Sequence, residues 1–360
     1  MKFEEFINDL ISGSVFPGIS VLAGSKGKIV FKGNYGYLSL LPEKKLIPEN
    51  PVYDLASLTK PLVTAFLILY FFELGDLDED TRAGSFIEGI NPDITVSQLL
   101  THTSGLPAWY PLYLSDVDHI KTIRGLGLIS KPGRKVTYSC LGYIALSHII
   151  KKVSGMNLNE AAEKIIFKKA GLKDTFFTVP EGVLERTAPT ESGNLFEREK
   201  VGKDFPGMAE NYKWRRELII GEANDGNAFY LKGKAGNAGL FSTAADIFAI
   251  SREFFPKTSS ILKHDTVKKF WKNYTPFKQS HRSYGFKLNS SFITSGGRSL
   301  SKNAIGHNGF TGTSLWMEEE GEKVFILLTN RIHPEVDQNI NFNRIRRKLH
   351  KLMMADLNSG

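Results

Sequence analysis

The stretch Tyr53–Gly75, YDLASLTKPLVTAFLILYFFELG, places a serine and a lysine three residues apart at the start of a long apolar run. Proline is tolerated in a helix only within the first turn, so Pro61 predicts that a helix begins near Ser57. The run is apolar all round, which indicates a buried helix. The Ser57 hydroxyl would then lie at a helix N-terminus, where exposed N–H groups favour a developing negative charge.

Lys60 lies three residues after Ser57 and would share its helix face. Burial against an apolar helix disfavours a charged ammonium, so we expect a lowered pKa for Lys60, toward that of a general base. The same spacing occurs in three other pairs, none of which opens a long apolar helix: Ser25/Lys28, Ser260/Lys263 and Ser299/Lys302. A capping serine followed by a surface lysine fits the pattern equally well, and at this point both interpretations stay open.

The 360 residues include 46 basic and 38 acidic side chains, for a net charge of +8. The basic residues are dispersed, and the densest run, Arg344–Lys351, has the spacing of a solvated helix face. No RNA- or DNA-binding signature accompanies it, so we expect no nucleic-acid partner. The apolar run Leu62–Phe72 is shorter than the roughly 20 residues that cross a bilayer, and we expect no membrane partner.

Cys140 is the one cysteine of the sequence, so no internal disulfide can form, which is typical of a reducing compartment. The first twenty residues contain two early glutamates and no continuous apolar segment, unlike a signal peptide. We therefore expect a cytoplasmic protein, with a removed signal peptide as the open alternative.

Both ends of the sequence show the apolar alternation of β-strands, within residues 17–39 and 283–329. Neither group of strands is large enough to stand alone, so we expect one antiparallel sheet of about five strands, built from both chain ends and flanked by helices. The middle of the chain has mostly helical spacing. The predicted fold class is α/β of the α+β type, with residues 1–75 and 236–360 forming the sheet domain and residues 76–235 a mostly helical inserted domain.

Two further stretches contain candidate site residues. KPGRKVTYSCLGYIAL, Lys131–Leu146, places Tyr138 at a predicted helix start, where it could exchange protons with Lys60 or simply pack as one of twelve tyrosines. AIGHNGFTGTSLWM, Ala304–Met317, places His307 on a predicted strand, where it is either a substrate-facing group or a structural histidine.

Other kinds of site are not indicated. The glycine-rich run GKAGNAG, Gly233–Gly239, lacks the ending of a phosphate-binding P-loop. The histidines lack metal-ligand spacing, so we expect no metal and no other cofactor. There is no G-x-S-x-G motif, which argues against an α/β-hydrolase.

Six stretches resemble the serine β-lactamase and penicillin-binding-protein superfamily, most of all its class C β-lactamase-like branch, which also contains esterases and D-amino-acid peptidases. In chain order they are YDLASLTKP, ITVSQLLTHTSGLP, KPGRKVTYSCLGY, GKAGNAGLFSTAADI, GHNGFTGTSLWM and VFILLTNRIHP. They span Val52 to Pro334. The resemblance implies the nested architecture expected above and a serine hydrolase that works through an acyl-enzyme on Ser57.

The resemblance also implies a role for each matching residue. Ser57 matches the acylated serine, Lys60 its partner base, and Tyr138 the tyrosine that relays protons to the leaving group. The backbone N–H groups of Ser57 and Phe310 would form the oxyanion hole. The substrate would contact the strand element and one helix-start residue: His307, Asn308, Gly309 and Cys140.

Two residues depart from the family pattern. Cys140 replaces an asparagine and cannot make the paired contacts of an amide. His307 replaces a lysine, and a histidine near pH 7 is mostly neutral, so it offers no fixed charge to a substrate carboxylate. We therefore expect hydrolysis of small-molecule esters or amides, or of peptidoglycan fragments, rather than efficient β-lactam turnover.

Three alternatives remain at this stage. One is a β-lactamase or D-Ala-D-Ala carboxypeptidase proper, and another is a non-catalytic binder of peptidoglycan-type ligands with the same fold. A structural or nucleic-acid-associated basic protein is motivated by the net charge alone.

Overall fold

The computed structural model describes residues 3–210, 212–290 and 294–359, and these contain nine strands. They are β1 (Gly18–Ser25), β2 (Lys28–Ser39), β3 (Lys45–Leu46), β4 (Tyr53–Asp54), β5 (Phe241–Ser242), β6 (Lys287–Leu288), β7 (Ile305–Asn308), β8 (Ser314–Glu318) and β9 (Lys323–Thr329). Seven of them form one antiparallel sheet in the order β3-β2-β1-β9-β8-β7-β6, whereas β4 pairs with β5 separately.

The α-helices in the same ranges are α1 (Phe3–Ser12), α2 (Phe66–Leu74), α3 (Val96–Leu100), α4 (His119–Gly125), α5 (Cys140–Ser154), α6 (Leu158–Ala162), α7 (Lys168–Ala170), α8 (Leu195–Asp204), α9 (Gly226–Tyr230), α10 (Ala244–Ser251), α11 (His264–Lys268) and α12 (Phe342–Ser359). Two π-helical segments, Lys60–Ala65 and Glu163–Phe167, lead into α2 and α7. Short 3-10 turns lie at Ala56–Leu58, Ala83–Ser85, Leu112–Leu114, Glu181–Arg186, Arg252–Phe254 and Glu320–Glu322.

The sheet is built from both ends of the chain, which confirms the predicted fold class. β1 pairs with β9 from Ile19↔Thr329 to Gly24↔Val324, so early and late strands are neighbours in the sheet. The expected number of about five strands is wrong, because the sheet has seven. Its edge strands β3 and β6 are two residues long. Such short pairings leave no readable alternation of apolar and polar residues.

Helices cover both faces of the sheet, so β1 is almost entirely buried. Successive side chains of a strand point to opposite faces. Accordingly, Ile19, Val21 and Ala23 pack in the cluster that includes α1 and α12, whereas Leu22 packs in the cluster around α2. The apolar run of β1 therefore reflects burial on two faces rather than one.

The helix opened by Ser57 is buried, as its uniform apolarity predicts. Phe66 packs against Phe254 and Phe270, with ring centroids 5.5 and 6.0 Å away. Removing a phenyl ring from such a core site costs about 3–5 kcal/mol. Within the described ranges, Ala56–Leu74 is the one helix long and apolar enough to cross a membrane by length and composition, and most of it is buried inside the protein.

The middle of the chain is helical. In the described part of residues 76–235 lie α3 to α9, and no strand of the main sheet. Thr95 begins α3 with a capping box, because its side chain accepts the Gln98 N–H while the Gln98 side chain accepts the Thr95 N–H. The domain boundaries at residues 75/76 and 235/236 stay a prediction.

Candidate active site

Ser57 lies in the tight turn between β4 and the π-helical segment. The residue before it, Ala56, has φ +46°, a left-handed conformation that residues other than glycine rarely adopt. Asp54 holds this turn, because one carboxylate oxygen accepts the Ala56 N–H and the other accepts the Asn224 N–H, both at 2.8 Å. Burial raises the pKa of Asp54 to about 6. The helical segment begins next to Ser57, where Pro61 predicted it.

Lys60 is fully buried, and its amine contacts Ser57. Lys60 Nζ donates hydrogen bonds to Ser57 Oγ at 3.0 Å and to the Asn237 carbonyl at 2.8 Å. It also lies 3.6 Å from Cys140 Sγ. A surface lysine after a capping serine would have none of these contacts, so the structure excludes that interpretation of the spacing.

The expected lowering of the Lys60 pKa is wrong. Burial acts to lower this pKa, but the ionised forms of the neighbouring Cys140 and Tyr138 raise it, and the net shift is upward. Burial in turn raises the pKa values of Tyr138 and Cys140. The three groups are therefore coupled, and a proton that leaves one of them changes the pKa values of the other two. One proton must leave this group before it can act as a base.

Tyr138 lies close to both Lys60 and His307. Lys60 Nζ is 4.9 Å from the centroid of the Tyr138 ring, and the His307 ring centroid is 5.8 Å from it. Ser139 caps α5, and its N–H donates to His102 Nδ1 at 3.0 Å. The ring of His102 also packs against Tyr138, with centroids 4.5 Å apart. His102 therefore supports the ring of Tyr138 by packing against it. The spacing of the histidines in the sequence did not indicate this role.

The loop after β7 is joined to the Ser57 turn. Thr311 Oγ1 donates to the Asp54 carbonyl at 2.7 Å, which brings Phe310 beside the turn. Among the described residues, neither the Ser57 N–H nor the Phe310 N–H donates a hydrogen bond. Both groups are thus available to a substrate oxygen, and their role as an oxyanion hole stays a prediction.

The other predicted substrate contacts surround this loop. His307 is buried, and burial together with the charge of Lys60 holds its pKa well below the ordinary value, so the imidazole is neutral near pH 7. Asn308 follows it at the end of β7. Gly309 approaches its neighbours so closely that an added Cβ would lie 2.0 Å from Thr313 Oγ1. Only glycine fits at that position.

Two cavities meet at Ser57, and Ser57, Tyr138 and Phe310 line both of them. The first, about 240 Å³, is here called the acidic cavity, and its charged side chains are Glu191, Glu197, Asp225 and Lys200. The second, about 360 Å³, is called the basic cavity, and its cationic side chains are Arg282, Lys287, Arg331 and Arg346. Of the predicted substrate contacts, Cys140 lines the acidic cavity, whereas His307, Asn308 and Gly309 line the basic one.

Sequence reasoning missed several groups of this site. Asp54 and Asn237 occur inside stretches that carry the resemblance. The Asp54 carboxylate accepts backbone N–H groups, and Asn237 contributes its backbone carbonyl. A contact to a backbone atom does not depend on the type of residue that supplies the atom, so a single sequence does not reveal it. Arg282 and Lys287 lie in a stretch that contains none of the recognised motifs.

Comparison with known proteins identifies the family of the chain. The family model described as Beta-lactamase matches residues 3–349. An N-acetylmuramyl-L-alanine amidase of Bacillus subtilis (strain 168) is 28% identical over 382 residues, covering 95% of this chain and 83% of that protein. A putative D-alanyl-D-alanine carboxypeptidase of Escherichia coli (strain K12) is 28% identical over 365 residues, covering 91% of this chain and 82% of that protein.

Among solved structures, a class C beta-lactamase superposes with a TM-score of 0.74 at 16% identity, covering 99% of this chain and 95% of the other. At that identity the likeness shows the shared fold. The family match, in contrast, extends over nearly the whole chain. The chain therefore belongs to the beta-lactamase family, whose members are serine hydrolases.

Proposed function

We propose that this serine hydrolase cleaves esters or small amides through an acyl-enzyme formed on Ser57. The observation that carries the proposal is the 3.0 Å hydrogen bond between Lys60 Nζ and Ser57 Oγ. The bond joins a buried amine to a hydroxyl that lines two cavities. This is the arrangement in which an adjacent base activates a serine nucleophile.

Acylation would begin when the group of Lys60 and Tyr138 has lost one proton. Ser57 Oγ then attacks the substrate carbonyl carbon, and its proton passes to that group. The N–H groups of Ser57 and Phe310 would stabilise the charge on the carbonyl oxygen. When the tetrahedral intermediate collapses, the bond to the leaving group breaks, and Tyr138 would deliver the proton to the leaving group.

Deacylation would reverse these roles. A water molecule gives a proton to Lys60 and Tyr138 as its oxygen attacks the acyl carbon. The ester bond to Ser57 then breaks, and the proton returns to Ser57 Oγ. The products are the free acid and the unchanged enzyme.

The substrate class follows from the two departures from the family pattern. Cys140 has no amide with which to pair a substrate amide, and the imidazole of His307 is neutral. We therefore place small esters and amides, D-amino-acid peptides and peptidoglycan fragments before β-lactams. The relatives named as an amidase and a carboxypeptidase support an amide or peptide substrate.

The test is hydrolysis of p-nitrophenyl acetate, p-nitrophenyl butyrate, nitrocefin and D-alanyl p-nitroanilide by the wild type and by Ser57→Ala. We expect ester release that the variant loses by at least about 10³-fold. An active Ser57→Ala protein would exclude Ser57 as the nucleophile. Nitrocefin turnover comparable to ester turnover would contradict the low rank of β-lactams.

A non-catalytic binder of the same fold would show neither turnover nor a covalent adduct. Intact mass spectrometry after treatment with a fluorophosphonate or with penicillin measures that adduct. A mass increase that is absent in Ser57→Ala would exclude the binder. The cytoplasmic location and the lack of nucleic-acid and membrane partners stay predictions.

A further inference from the structure

One short segment contacts the residues that hold both proposed catalytic side chains. It is Ala223–Asp225, here called the brace, and it lies between the stretches Lys131–Tyr143 and Gly233–Ile247 that carry the resemblance. None of the recognised motifs includes it. Two chains of hydrogen bonds start from the brace, one leading to Ser57 and one to Lys60.

The first chain ends at the turn that carries Ser57. The Asn224 N–H donates to one carboxylate oxygen of Asp54, and the other oxygen accepts the Ala56 N–H. Ala56 has φ +46°, and such a conformation persists only where the surrounding structure holds it. The position of Ser57 Oγ therefore depends on the contact between Asn224 and Asp54.

The second chain ends at the amine of Lys60. Asp225 Oδ1 accepts a hydrogen bond from Asn237 Nδ2 at 3.2 Å, and the Asn237 carbonyl accepts one from Lys60 Nζ at 2.8 Å. Asp225 Oδ1 also caps α9, because it accepts the Ala228 N–H at 2.8 Å. The brace thus supports both ends of the 3.0 Å hydrogen bond between Lys60 Nζ and Ser57 Oγ.

Arg215 holds the brace in place. Its guanidinium donates to the carbonyls of Ala223 and Asn224, both at 2.9 Å, and its Nε donates to Asn194 Oδ1. Asn194 Nδ2 donates to the same Asn224 carbonyl at 3.0 Å. The Phe229 ring covers the guanidinium, with its centroid 4.1 Å from Arg215 Cζ. A planar fork of donors fixes several acceptors in one geometry.

We infer that Arg215 is a positioning residue that sets the distance between Ser57 Oγ and Lys60 Nζ by clamping the brace. The inference rests on the proposed function, because it takes Ser57 as the nucleophile and Lys60 as its base. Arg215 is not among the described residues that line the acidic or the basic cavity. A misplacement of about 1 Å at reacting atoms can lower a rate by about 10²-fold. Loss of Arg215 should therefore slow the chemical step and leave substrate binding intact.

The test is stopped-flow release of p-nitrophenol from p-nitrophenyl acetate, which separates acylation from substrate binding. Glutamine cannot donate to three oxygens as the guanidinium does. For Arg215→Gln we expect the acylation rate constant to fall by about 10–10²-fold, with the substrate dissociation constant changed by less than about twofold. An unchanged acylation rate constant, or a rise in the dissociation constant alone, would overturn the inference.

Two matched variants control for charge and for folding. Arg216→Gln removes an exposed arginine next to Arg215 and should keep the wild-type acylation rate. Arg215→Lys keeps the positive charge without the planar fork and should recover part of the loss. Thermal unfolding is measured for each variant, and Arg215→Lys alone decides the test if Arg215→Gln does not fold. Equal losses in Arg216→Gln and Arg215→Gln, or wild-type acylation by Arg215→Lys, would contradict the clamp.

A double-variant cycle shows whether Arg215 acts through Asp54. Asp54→Asn replaces one acceptor oxygen by an NH₂ group, so one of the two hydrogen bonds to backbone N–H groups is lost. The combined loss in Arg215→Gln/Asp54→Asn should be smaller than the product of the two single losses by at least about threefold. A combined loss equal to that product would show that the two residues act independently and would contradict the first chain.

Covalent labelling separates this inference from the proposed function. The rate at which a fluorophosphonate forms an adduct on Ser57 is followed by intact mass spectrometry. We expect this rate to be about tenfold or more lower in Arg215→Gln than in the wild type. Equal labelling rates would overturn the inference alone. A wild-type protein that forms no adduct on Ser57 would overturn the proposed function, and the inference with it.

Discussion

The acidic and basic cavities meet at Ser57 but differ in how their charges are satisfied. In the acidic cavity, Glu197 accepts the Tyr113 hydroxyl at 2.7 Å and the Gly226 N–H at 2.9 Å. In the basic cavity, the paired cations Arg282 and Lys287 have no acidic partner among the described residues. The polar groups of the acidic cavity are thus bonded within the protein, whereas the cations of the basic cavity have no such counter-charge. The two sides of Ser57 therefore present different electrostatic surroundings to a bound molecule.

The largest expected effect is a loss of catalysis at Ser57, which lines both cavities. Replacing Lys60 by methionine removes the base next to Ser57, and we expect kcat/KM to fall by about 10²–10⁴-fold for p-nitrophenyl acetate and p-nitrophenyl butyrate alike. The measurement is steady-state hydrolysis of both esters, with thermal unfolding as the control for folding. A rise in KM with kcat unchanged would mean that Lys60 binds substrate instead.

The next effect is expected on the free energy of unfolding, and it tests the structural role of Glu197 in the acidic cavity. Burial raises the pKa of Glu197 from 4.5 to about 7, so the folded protein favours its protonated form. The protonated carboxyl of Glu197 therefore contributes to the free energy of unfolding below pH 4.5, and this contribution is lost as the pH rises through 7. Relative to wild type, Glu197→Gln should therefore gain about 3 kcal/mol in free energy of unfolding between pH 4.5 and 8.

Urea unfolding of both proteins at pH 5 and pH 8 measures this difference. The conservative replacement Glu197→Asp, which keeps the titrating carboxyl, is the control. A difference between wild type and Glu197→Gln that does not change with pH would show that folding does not shift the pKa of Glu197.

The pH dependence of activity is expected to be graded. The pKa of Lys60 is raised, so its base form becomes more populated as the pH rises. Below that pKa, kcat/KM for a neutral ester should increase by about tenfold per pH unit, because one proton must be lost. Stopped-flow hydrolysis from pH 6 to 9 tests this. A plateau reached already at pH 6 would contradict the raised pKa.

The smallest effect is expected at Cys140. Its sulfur lies 3.6 Å from Lys60 Nζ, and a thiol is a weak hydrogen-bonding group. Cys140→Ala should therefore change kcat/KM for a neutral ester by about threefold or less. Cys140→Asn, which restores the family residue, should improve the amide D-alanyl p-nitroanilide relative to p-nitrophenyl acetate. A loss above tenfold in Cys140→Ala would assign the thiol a direct part in proton transfer.

The features that could be predicted from the sequence depend on residues that are neighbours in the chain. The position of Ser57 at a helix start follows from Pro61 and the apolar run, because both constrain the same few residues. The direction of the Lys60 pKa shift could not be predicted in this way, since Cys140 and Tyr138, which reverse it, lie about 80 residues further along the chain. A single sequence does not show which distant polar groups will surround a buried amine.

The basic cavity was unpredictable for a related reason. The residue types of Arg282 and Lys287 are visible in the sequence, but their position in the cavity lined by Ser57 depends on a turn that packs against Pro61 and Ala65. Some strands of the sheet were also unpredictable because they depend on contacts with distant residues. The long strands of both chain ends were predicted from alternation, whereas the two-residue strands β3 and β6 exist only through pairing with their neighbours.

The pairing of β1 with β9 has a consequence for the nascent chain. Gly24 pairs with Val324, so 300 residues must be synthesised between the two partners. At roughly 5–20 residues per second, the apolar edge of β1 waits on the order of 15–60 s for its neighbour. During that interval β1 and β2 form an incomplete hairpin with an open edge, the kind of surface that chaperones cover and that aggregates if left exposed. Expression at lower temperature or with added chaperone is therefore expected to increase the soluble yield of this protein.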